Sequence, residues 1–439
     1  MWVAFKQHKW KILLMLGSLP LLLELSLRFF QPAALDYERN LKLLHVYHPE
    51  YLVGLEPHAD YYIRHNQGLW EGHFTTNSLG YRGSREPVEN VPQIGCLGDS
   101  LVMGFGVSDE DTFCNLLNGI KINGTTYQTQ NLGVDAFGTR GYYYRLKEAT
   151  ERLPDLRIVL FFPSPNDFVI PESLRQRGIL PDDEVDRNRE QNPESFRQFK
   201  YSFQLTRYSV LLHSGRLAVA KLNVRRRTIW SDIWRDLYQI GLYNPENGPG
   251  LYPQIPVERR GLLPYLREAF YNPPPRPDCN APIGSGEQSV GCPDPIPQNV
   301  TCLPNETALS DLEPLPEYTR AYYDRMIAAA RSANVRLVMV MMPVQNETLY
   351  CEMNGQYSPF FDFSRRAGAY FKRQNVPVLD MRSYISEMCG EQLPDGSGGT
   401  YPSRIHDYYI PGDGHYTRAG NRWANRALRR ELQKIEAGL

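Results

Sequence analysis

Apolar strand segments alternate with amphipathic helix segments in two stretches of the chain, and this alternation limits the fold more than any other feature. The predicted strands are Gln93–Leu97, Tyr127–Leu132, Arg157–Phe162, Val335–Met342 and Val376–Asp380. The predicted helices are Thr112–Ile120, Arg140–Leu153, Tyr318–Ala333, Phe363–Arg373 and Thr417–Ile435. The third strand is a continuous apolar run, as expected for a strand that is covered on both faces. The pattern therefore predicts an α/β fold with a doubly wound, five-stranded parallel sheet, in which ligands bind at the carboxyl ends of the strands.

The alternation stops after the third strand for about 145 residues, which indicates a long insertion in the α/β domain. Residues 245–316 contain 16 of the 34 prolines, a density that rules out regular secondary structure there. The insertion is interpreted either as a lid over the active site or as a spacer or membrane-facing collar. The predicted organisation is a membrane anchor (1–30), a lead-in of short strands (31–90), the first half of the core (91–170), the insertion (171–316) and the second half of the core (317–439).

The N-terminus carries a basic cluster followed by an apolar run. Lys6, Lys9 and Lys11 precede an apolar segment that starts at Ile12 and continues, interrupted by Glu24 and Arg28, to residue 30. Because a bilayer span takes about 20 apolar residues, the two charges are tolerable only if they pair or reach the far interface. No clear small-residue cleavage site follows, which favours an uncleaved anchor over a signal peptide. The lysines predict the N-terminus inside and the rest of the chain outside, periplasmic or on the cell surface. A buried N-terminal helix is the alternative.

The composition excludes several function classes. A net charge of −1 argues against a nucleic-acid-binding protein. The seven cysteines show no zinc-binding spacing, and the chain has no Gly-rich phosphate loop. The sequence therefore predicts no metal, no cofactor and no nucleic-acid partner.

The cysteines fall into two groups. Cys96 in the first predicted strand and Cys114 in the following helix are interpreted as buried free thiols. The other five lie in polar sequence and would form one or two disulfides in an oxidising compartment, with a pairing that sequence does not define. They are Cys279, Cys292, Cys302, Cys351 and Cys389.

Polar residues with the chemistry of a serine esterase follow the first and third predicted strands. Ser100 lies at a strand-to-helix turn after Gly98 and Asp99, where backbone N–H groups favour negative charge. Asn166 follows the third strand, which a doubly wound sheet places beside the first, and its amide is a suitable donor to an oxyanion. A helix cap at Ser100 and an Asx turn at Asn166 are the structural alternatives.

A carboxylate and an imidazole precede the last predicted helix. Asp413 and His415 are two residues apart, so in an extended segment both side chains point the same way, with Asp413 orienting His415 toward Ser100. His406, with Asp407 beside it, is the competing base, but adjacent residues diverge in direction. The predicted nucleophile, base and orienting carboxylate are therefore Ser100, His415 and Asp413.

These residues together resemble the SGNH (GDSL-type) hydrolases. Gly98-Asp99-Ser100 resembles the first sequence block of that family, and the segment from Asn131-Leu132-Gly133-Val134 through Gly138-Thr139 resembles the second. Pro165-Asn166-Asp167 and Asp413-Gly414-His415 are similar to the third and the final blocks. The resemblance implies a flavodoxin-like fold, Ser100 as nucleophile, and an oxyanion hole from the N–H groups of Ser100 and Ala136 and the side chain of Asn166.

The chain departs from the family pattern in ways that bear on its reaction. Ala136 stands where the second block has glycine, and Ser164-Pro165 replaces the glycine before Asn166. One residue separates Asp413 from His415, a spacing similar to that of the membrane-associated branch that includes polysaccharide O-acetyltransferases. We therefore expect an esterase acting on a small-molecule or glycan acyl ester, or an O-acyltransferase acting on a polysaccharide. A non-catalytic glycan-binding module that keeps the fold is the alternative from a different class.

Overall fold

Five of the observed strands form one parallel sheet that holds the structure together. The computed structural model describes residues 17–29, 40–165, 167, 197, 201, 209–215, 314–344 and 363–436, with gaps at 42, 49, 66–69, 136–137, 154, 389, 395–398, 404 and 411–413. The strands are β1 (His45–His48), β2 (Leu52–Leu55), β3 (Asp60–Arg64), β4 (Glu71–Thr75), β5 (Gln93–Leu97), β6 (Lys121–Ile122), β7 (Thr125–Thr126), β8 (Gln128–Asn131), β9 (Leu156–Phe161), β10 (Arg336–Met341), β11 (Val378–Asp380), β12 (Gln392–Pro394) and β13 (Thr400–Pro402).

The sheet has the order β11-β10-β9-β5-β8, and every neighbouring pair in it is parallel. Counted along the chain from β5, this is the order 2-1-3-4-5 of flavodoxin-like folds. The predicted five-stranded parallel sheet is thus confirmed. Because β9 pairs with β5, the segments that follow these two strands meet at the same edge of the sheet.

Helices cover the sheet on both faces. The helices are α1 (residues 17–29), α2 (Ser100–Met103), α3 (Phe113–Leu116), α4 (Thr139–Arg152), α5 (residues 210–215), α6 (Glu317–Ser332), α7 (Phe363–Arg373) and α8 (Arg418–Glu436), with 3₁₀ helices at Asp109–Asp111, Met381–Met388 and Ile405–Tyr408. In β9, Val159 and Phe161 pack toward α4, α6 and α7, whereas Ile158 and Leu160 pack toward α3 and α8. This alternation is the two-residue period of a strand buried on both sides.

The last helix packs as its apolar spacing predicts. Ala419, Trp423, Ala427, Leu428 and Leu432 are all buried in the core on the α8 side of the sheet. Ile435 continues the same face at helical spacing in the sequence, and its side chain lies outside the described part of the chain.

The helix predicted at Thr112–Ile120 is shorter than expected. Only α3 is helical; Thr112 caps it by accepting a hydrogen bond from the N–H of Asn115 at 3.3 Å. Gly119 adopts a left-handed conformation, with φ of 75°, which turns the chain into the β6–β7 hairpin. Left-handed glycines commonly end helices, and this one limits the element to about one turn.

The prediction that Cys96 and Cys114 are free thiols is wrong, because they form a disulfide. The side chain of Cys96 points to the α3 side of the sheet, where Cys114 is also fully buried. Their Cα atoms are 6.2 Å apart, within the usual range for a disulfide. The five other cysteines lie outside the described residues, and so does any pairing among them.

The charged residues in the N-terminal apolar run are paired. Glu24 on α1 binds Arg28 at 2.7 Å and also accepts hydrogen bonds from Ser209 and the backbone N–H groups of residues 210 and 211, at 2.9 to 3.0 Å, where α5 begins. Within the described residues, no helix has both the length and the apolar character needed to cross a membrane. Residues 1–16 of the predicted anchor, before α1, lie outside those residues.

The predicted lead-in contains short strands, as expected. β1 pairs with β2 and β3 with β4, both antiparallel. Arg82 connects the lead-in to the core. Its buried guanidinium pairs with Asp109 at 2.8 Å, and its backbone N–H donates to the carbonyl of Asn131 at the end of β8.

The chain leaves and re-enters the core at one place. Asp167, six residues after the end of β9, accepts a hydrogen bond from Tyr323 of α6 at 2.9 Å. Its carbonyl also accepts one from the hydroxyl of Thr319 in the first turn of α6. The two sides of the predicted insertion are therefore joined at its base, and most of residues 171–316 lie outside the described part of the chain.

Candidate active site

Ser100 is the first residue of α2, directly after the carboxyl end of β5. Asp99, and not Ser100, is the N-cap: its carboxylate accepts a hydrogen bond from the N–H of Leu101 at 3.0 Å. The helix-cap alternative for Ser100 therefore does not hold, and its hydroxyl is available for another contact. Ser100 is partly exposed at the edge of the sheet where a doubly wound fold binds its ligands.

Gly98 is required by close packing at this turn. A Cβ at Gly98 would lie 2.3 Å from Cγ2 of Val102 and 3.1 Å from the carbonyl oxygen of Phe162. The missing side chain lets α2 start immediately after the strand, and this places Ser100 on the sheet edge.

His415 meets Ser100 from a segment more than 300 residues further along the chain. Its Nε2 atom lies 2.7 Å from Oγ of Ser100, within hydrogen-bonding distance. The carbonyl of His415 accepts a hydrogen bond from the N–H of Ile410 at 2.7 Å, and Tyr409 and Tyr416 form an antiparallel bridge beside it. The backbone on both sides of the imidazole is therefore fixed just before α8.

The expectation of an extended segment from Asp413 to His415 is wrong at its centre. Gly414 has φ of 86°, and its N–H donates to the carbonyl of Ile410, so the chain turns there. A left-handed φ is readily adopted by glycine and costs other residues energy, which explains this residue type at the turn. Asp413 itself lies outside the described residues, and so do Ala136 and Asn166. His406, the competing base, lies in the 3₁₀ helix Ile405–Tyr408, with a side chain outside the described set.

The loop that follows β8 packs against the helix that carries Ser100. A Cβ at Gly133 would lie 2.3 Å from the backbone nitrogen of Met103, so the loop touches the backbone of α2. The side chain of Asn131 bridges the two, donating to the carbonyl of Val102 at 2.8 Å and accepting from the N–H of Gly133 at 3.0 Å. The N–H of Val134 bonds the carbonyl of Gly98 at 3.3 Å. The segment that resembles the second block is thus held next to the turn that carries Ser100.

Two buried carboxyl groups lie beneath the site. Burial raises the pKa of Asp99 above its ordinary 3.8, although hydrogen bonds from Leu101 and Ser164 and the charge of His415 act in the opposite direction. Burial also raises the pKa of Asp167 well above 3.8, despite hydrogen bonds from Tyr323 and the N–H of Ser164. Ser164 contacts both groups, so it links the turn before Ser100 to the segment around Asn166.

The structure also shows two contacts that sequence analysis missed. The ring of Phe105 packs on the imidazole of His415, with 4.9 Å between centroids. His45 of β1 pairs with Asp135 in the loop after β8. The first joins residues more than 300 positions apart, and the glycines on either side of Phe105 do not identify its partner. The second joins residues 90 positions apart, and no local pattern announces it.

Comparison with known proteins gives distant structural likenesses. The chain is similar in structure to a member of the lipolytic protein G-D-S-L family from Veillonella parvula, with 10% identity, a TM-score of 0.32, and coverage of 77% of this chain and 97% of the other. It is also similar to a putative acylhydrolase from Bacteroides fragilis, with 10% identity, a TM-score of 0.30, and coverage of 80% and 91%. No protein-family model and no curated protein matches the sequence. Likenesses this distant carry no argument about the fold or the reaction, and the reaction has to be argued from the site itself.

Proposed function

We propose that this protein is a serine esterase of the SGNH type that hydrolyses an O-acyl ester. The observation that carries the proposal is the 2.7 Å contact between Nε2 of His415 and Oγ of Ser100 at the carboxyl end of β5. A serine hydroxyl bonded to an imidazole in this position is the arrangement of an activated nucleophile and its base. The four sequence blocks that resemble the SGNH hydrolases support the same reaction.

The reaction proceeds in two halves. His415 removes the proton of Ser100 as Oγ attacks the ester carbonyl, and the tetrahedral intermediate collapses when His415 protonates the leaving alcohol. Water then attacks the acyl-serine with His415 again as base, which releases the carboxylic acid and restores the hydroxyl of Ser100. The N–H groups of Ser100 and Ala136 and the amide of Asn166 would stabilise the oxyanion, and Asp413 would orient His415.

Active-site labelling tests the proposal. The purified protein should react with a fluorophosphonate probe, and mass spectrometry should find the adduct on Ser100. Ser100→Ala should abolish labelling and the hydrolysis of p-nitrophenyl acetate, whereas Ser78→Ala, at a serine whose hydroxyl bonds Glu86 in the lead-in, should keep both. An unlabelled wild-type protein would favour the glycan-binding alternative, because a binding module needs no activated serine.

Transfer to a polysaccharide hydroxyl is the second candidate. The single residue between Asp413 and His415 favours it, because that spacing is similar to the O-acetyltransferase branch. The acyl-serine is common to both reactions, and the acceptor alone differs. Product analysis with acetyl-donor ester and an oligosaccharide acceptor separates them: a transferase gives acetylated oligosaccharide, and an esterase gives free acetate at the same rate with or without the acceptor.

We also propose that the protein is held at a membrane by its N-terminus, with the site outside the cytoplasm. The basic cluster of Lys6, Lys9 and Lys11 before the apolar run supports this. The pairing of Glu24 with Arg28 meets the condition under which that run tolerates its charges. The Cys96–Cys114 disulfide is of a kind typical of oxidising compartments. Alkaline carbonate extraction of membranes tests the anchor: the full chain should stay in the pellet, and a chain that starts at residue 31 should not.

A further inference from the structure

The aromatic ring of Phe105, in the turn that follows Ser100, lies against His415, the proposed base. The centroids of the Phe105 and His415 rings are 4.9 Å apart, with the ring planes inclined at 45°. Phe105 is only 8% exposed, and its backbone N–H donates to the carbonyl of Ser100 at 3.0 Å. One six-residue segment therefore carries both the proposed nucleophile and a ring that touches its base.

The ring of Phe105 packs on a second aromatic ring, and its backbone turn packs on the loop that carries His415. Trp70, itself buried, packs edge-on against it at 5.0 Å between centroids. Gly104 and Gly106 flank Phe105 with left-handed φ values of 79° and 95°. A Cβ at Gly106 would lie 2.3 Å from Cδ1 of Ile410, so this turn packs directly on the loop that carries His415. The missing side chain of Gly106 lets the turn approach that loop closely.

The position of this ring matters because His415 changes charge during the reaction. When the imidazole takes the proton of Ser100 it becomes a cation, and an aromatic ring within about 6 Å of a cation attracts it electrostatically. Asp99, directly before Ser100, interacts electrostatically with His415, and Asp413 lies two residues before His415 in the sequence. The electrostatic effect of these two carboxyl groups on His415 is present in every variant of Phe105. Differences among such variants therefore report the effect of the ring at position 105.

We propose that Phe105 is a positioning residue that holds the imidazole of His415 against Ser100 and stabilises its protonated form in the transition state. The proposal rests on the proposed esterase reaction. It assigns to Phe105 an electrostatic effect that an aliphatic side chain of similar volume would not supply. An interaction that is stronger in the transition state than in the ground state raises the rate of the chemical step.

The test compares Phe105→Leu, Phe105→Met and Phe105→Tyr with wild type in p-nitrophenyl acetate hydrolysis across pH. The control is Phe113→Leu, because Phe113 is fully buried against Phe162, in the core on the α8 side of the sheet. The two aliphatic variants should lower kcat by about 2- to 30-fold with little change in KM, the range that corresponds to cation–π interactions. They should also move the acid limb of the rate profile to lower pH, because the protonated imidazole loses a favourable contact. Phe105→Tyr should keep both properties, and Phe113→Leu should not move the acid limb.

A second readout is independent of turnover. The titration midpoint of the His415 ring protons, followed by NMR, should fall in the aliphatic variants and not in Phe105→Tyr. A lower kcat with an unmoved acid limb and midpoint would show that the ring only fills space, and would overturn the proposal. If wild type hydrolyses no ester and reacts with no probe, the proposed function fails, whereas an unchanged NMR midpoint defeats the role of Phe105 alone.

Discussion

At the residue scale, the fully buried Asp167 is the group whose charge state has the clearest consequence. Burial raises its pKa well above the ordinary 3.8, so the carboxyl binds a proton more tightly in the folded protein than in the unfolded chain. The stability that this proton binding contributes is present below pH 3.8 and is lost as the pH rises through the folded-state pKa. A protonated carboxyl also resembles an amide in shape and charge.

We therefore predict that Asp167→Asn folds and gains stability relative to wild type as the pH rises from about 4 to 8. The asparagine keeps an acceptor for Tyr323 and the N–H of Ser164 but has no proton to lose. Urea unfolding of both proteins across this range measures the difference. Asp167→Ala, which removes the acceptor, should be less stable than Asp167→Asn at every pH. A difference between wild type and Asp167→Asn that does not change with pH would contradict the prediction.

At the element scale, the contact between the loop after β8 and helix α2 should affect the rate of ester hydrolysis, because it positions Ser100. Because a Cβ at Gly133 would meet the backbone nitrogen of Met103 at 2.3 Å, Gly133→Ala has to push loop and helix apart. We predict that this variant loses about tenfold or more in kcat for p-nitrophenyl acetate, since a shift of about 1 Å in catalytic geometry can cost about a hundredfold.

The same loop offers a matched control for that substitution. Gly138 has φ of −122°, and a Cβ there would have nothing within 4 Å. Gly138→Ala should therefore keep the wild-type kcat. Equal kcat values for the two variants would mean that the packing of the loop on α2 does not position the site.

The disulfide between β5 and α3 should contribute to stability. It joins residues 18 positions apart, and a closed loop of that size corresponds to about 3 kcal/mol in the chain-entropy account. We predict that the double variant Cys96→Ala, Cys114→Ala has a free energy of unfolding lower by about that amount. It should therefore unfold at a lower urea concentration than wild type. Dithiothreitol in the presence of urea should destabilise wild type more than the double variant, which lacks this disulfide. A wild type that is insensitive to reduction would contradict the prediction.

The elements show which parts of the fold a sequence can reveal. The strands of the sheet and the buried face of α8 were predictable, because strand and helix periodicities are local patterns. The short length of α3 and the turn at Gly414 were not predictable. Both depend on a glycine with a left-handed φ, and the sequence does not show which glycines adopt that conformation. The disulfide was missed because it depends on which face of the sheet α3 covers, and that is a tertiary property.

The site shows the same division. Ser100 and His415 could be predicted because Ser100 follows a recognisable strand and His415 precedes a recognisable helix. A parallel sheet brings the segments at the carboxyl ends of its strands together. The contacts of Phe105 with His415 and of His45 with Asp135 join distant segments through side-chain packing, and their sequence surroundings carry little information about it. Residue types can thus suggest a reaction, whereas the residues that tune it emerge from three-dimensional contacts.

At the scale of the whole molecule, the closed base of the insertion has a consequence for stability. Asp167 is bound directly by Thr319 and Tyr323, so the core holds both ends of the intervening chain together. Replacing residues 170–312 with a linker of about ten Gly and Ser residues should leave the core folded and slightly more stable, because closing a shorter loop costs less entropy. Urea unfolding of the shortened chain tests this, together with probe labelling of Ser100. Aggregation, or loss of the cooperative transition, would show that the core needs the removed residues.

Because that hydrogen-bonded junction fixes both ends of the insertion, the core can carry inserted segments of very different length. The segment beyond it could be lengthened, shortened or exchanged without changing the proposed active site. New partners or acceptors could then be recruited through the appended chain while the chemistry stays the same.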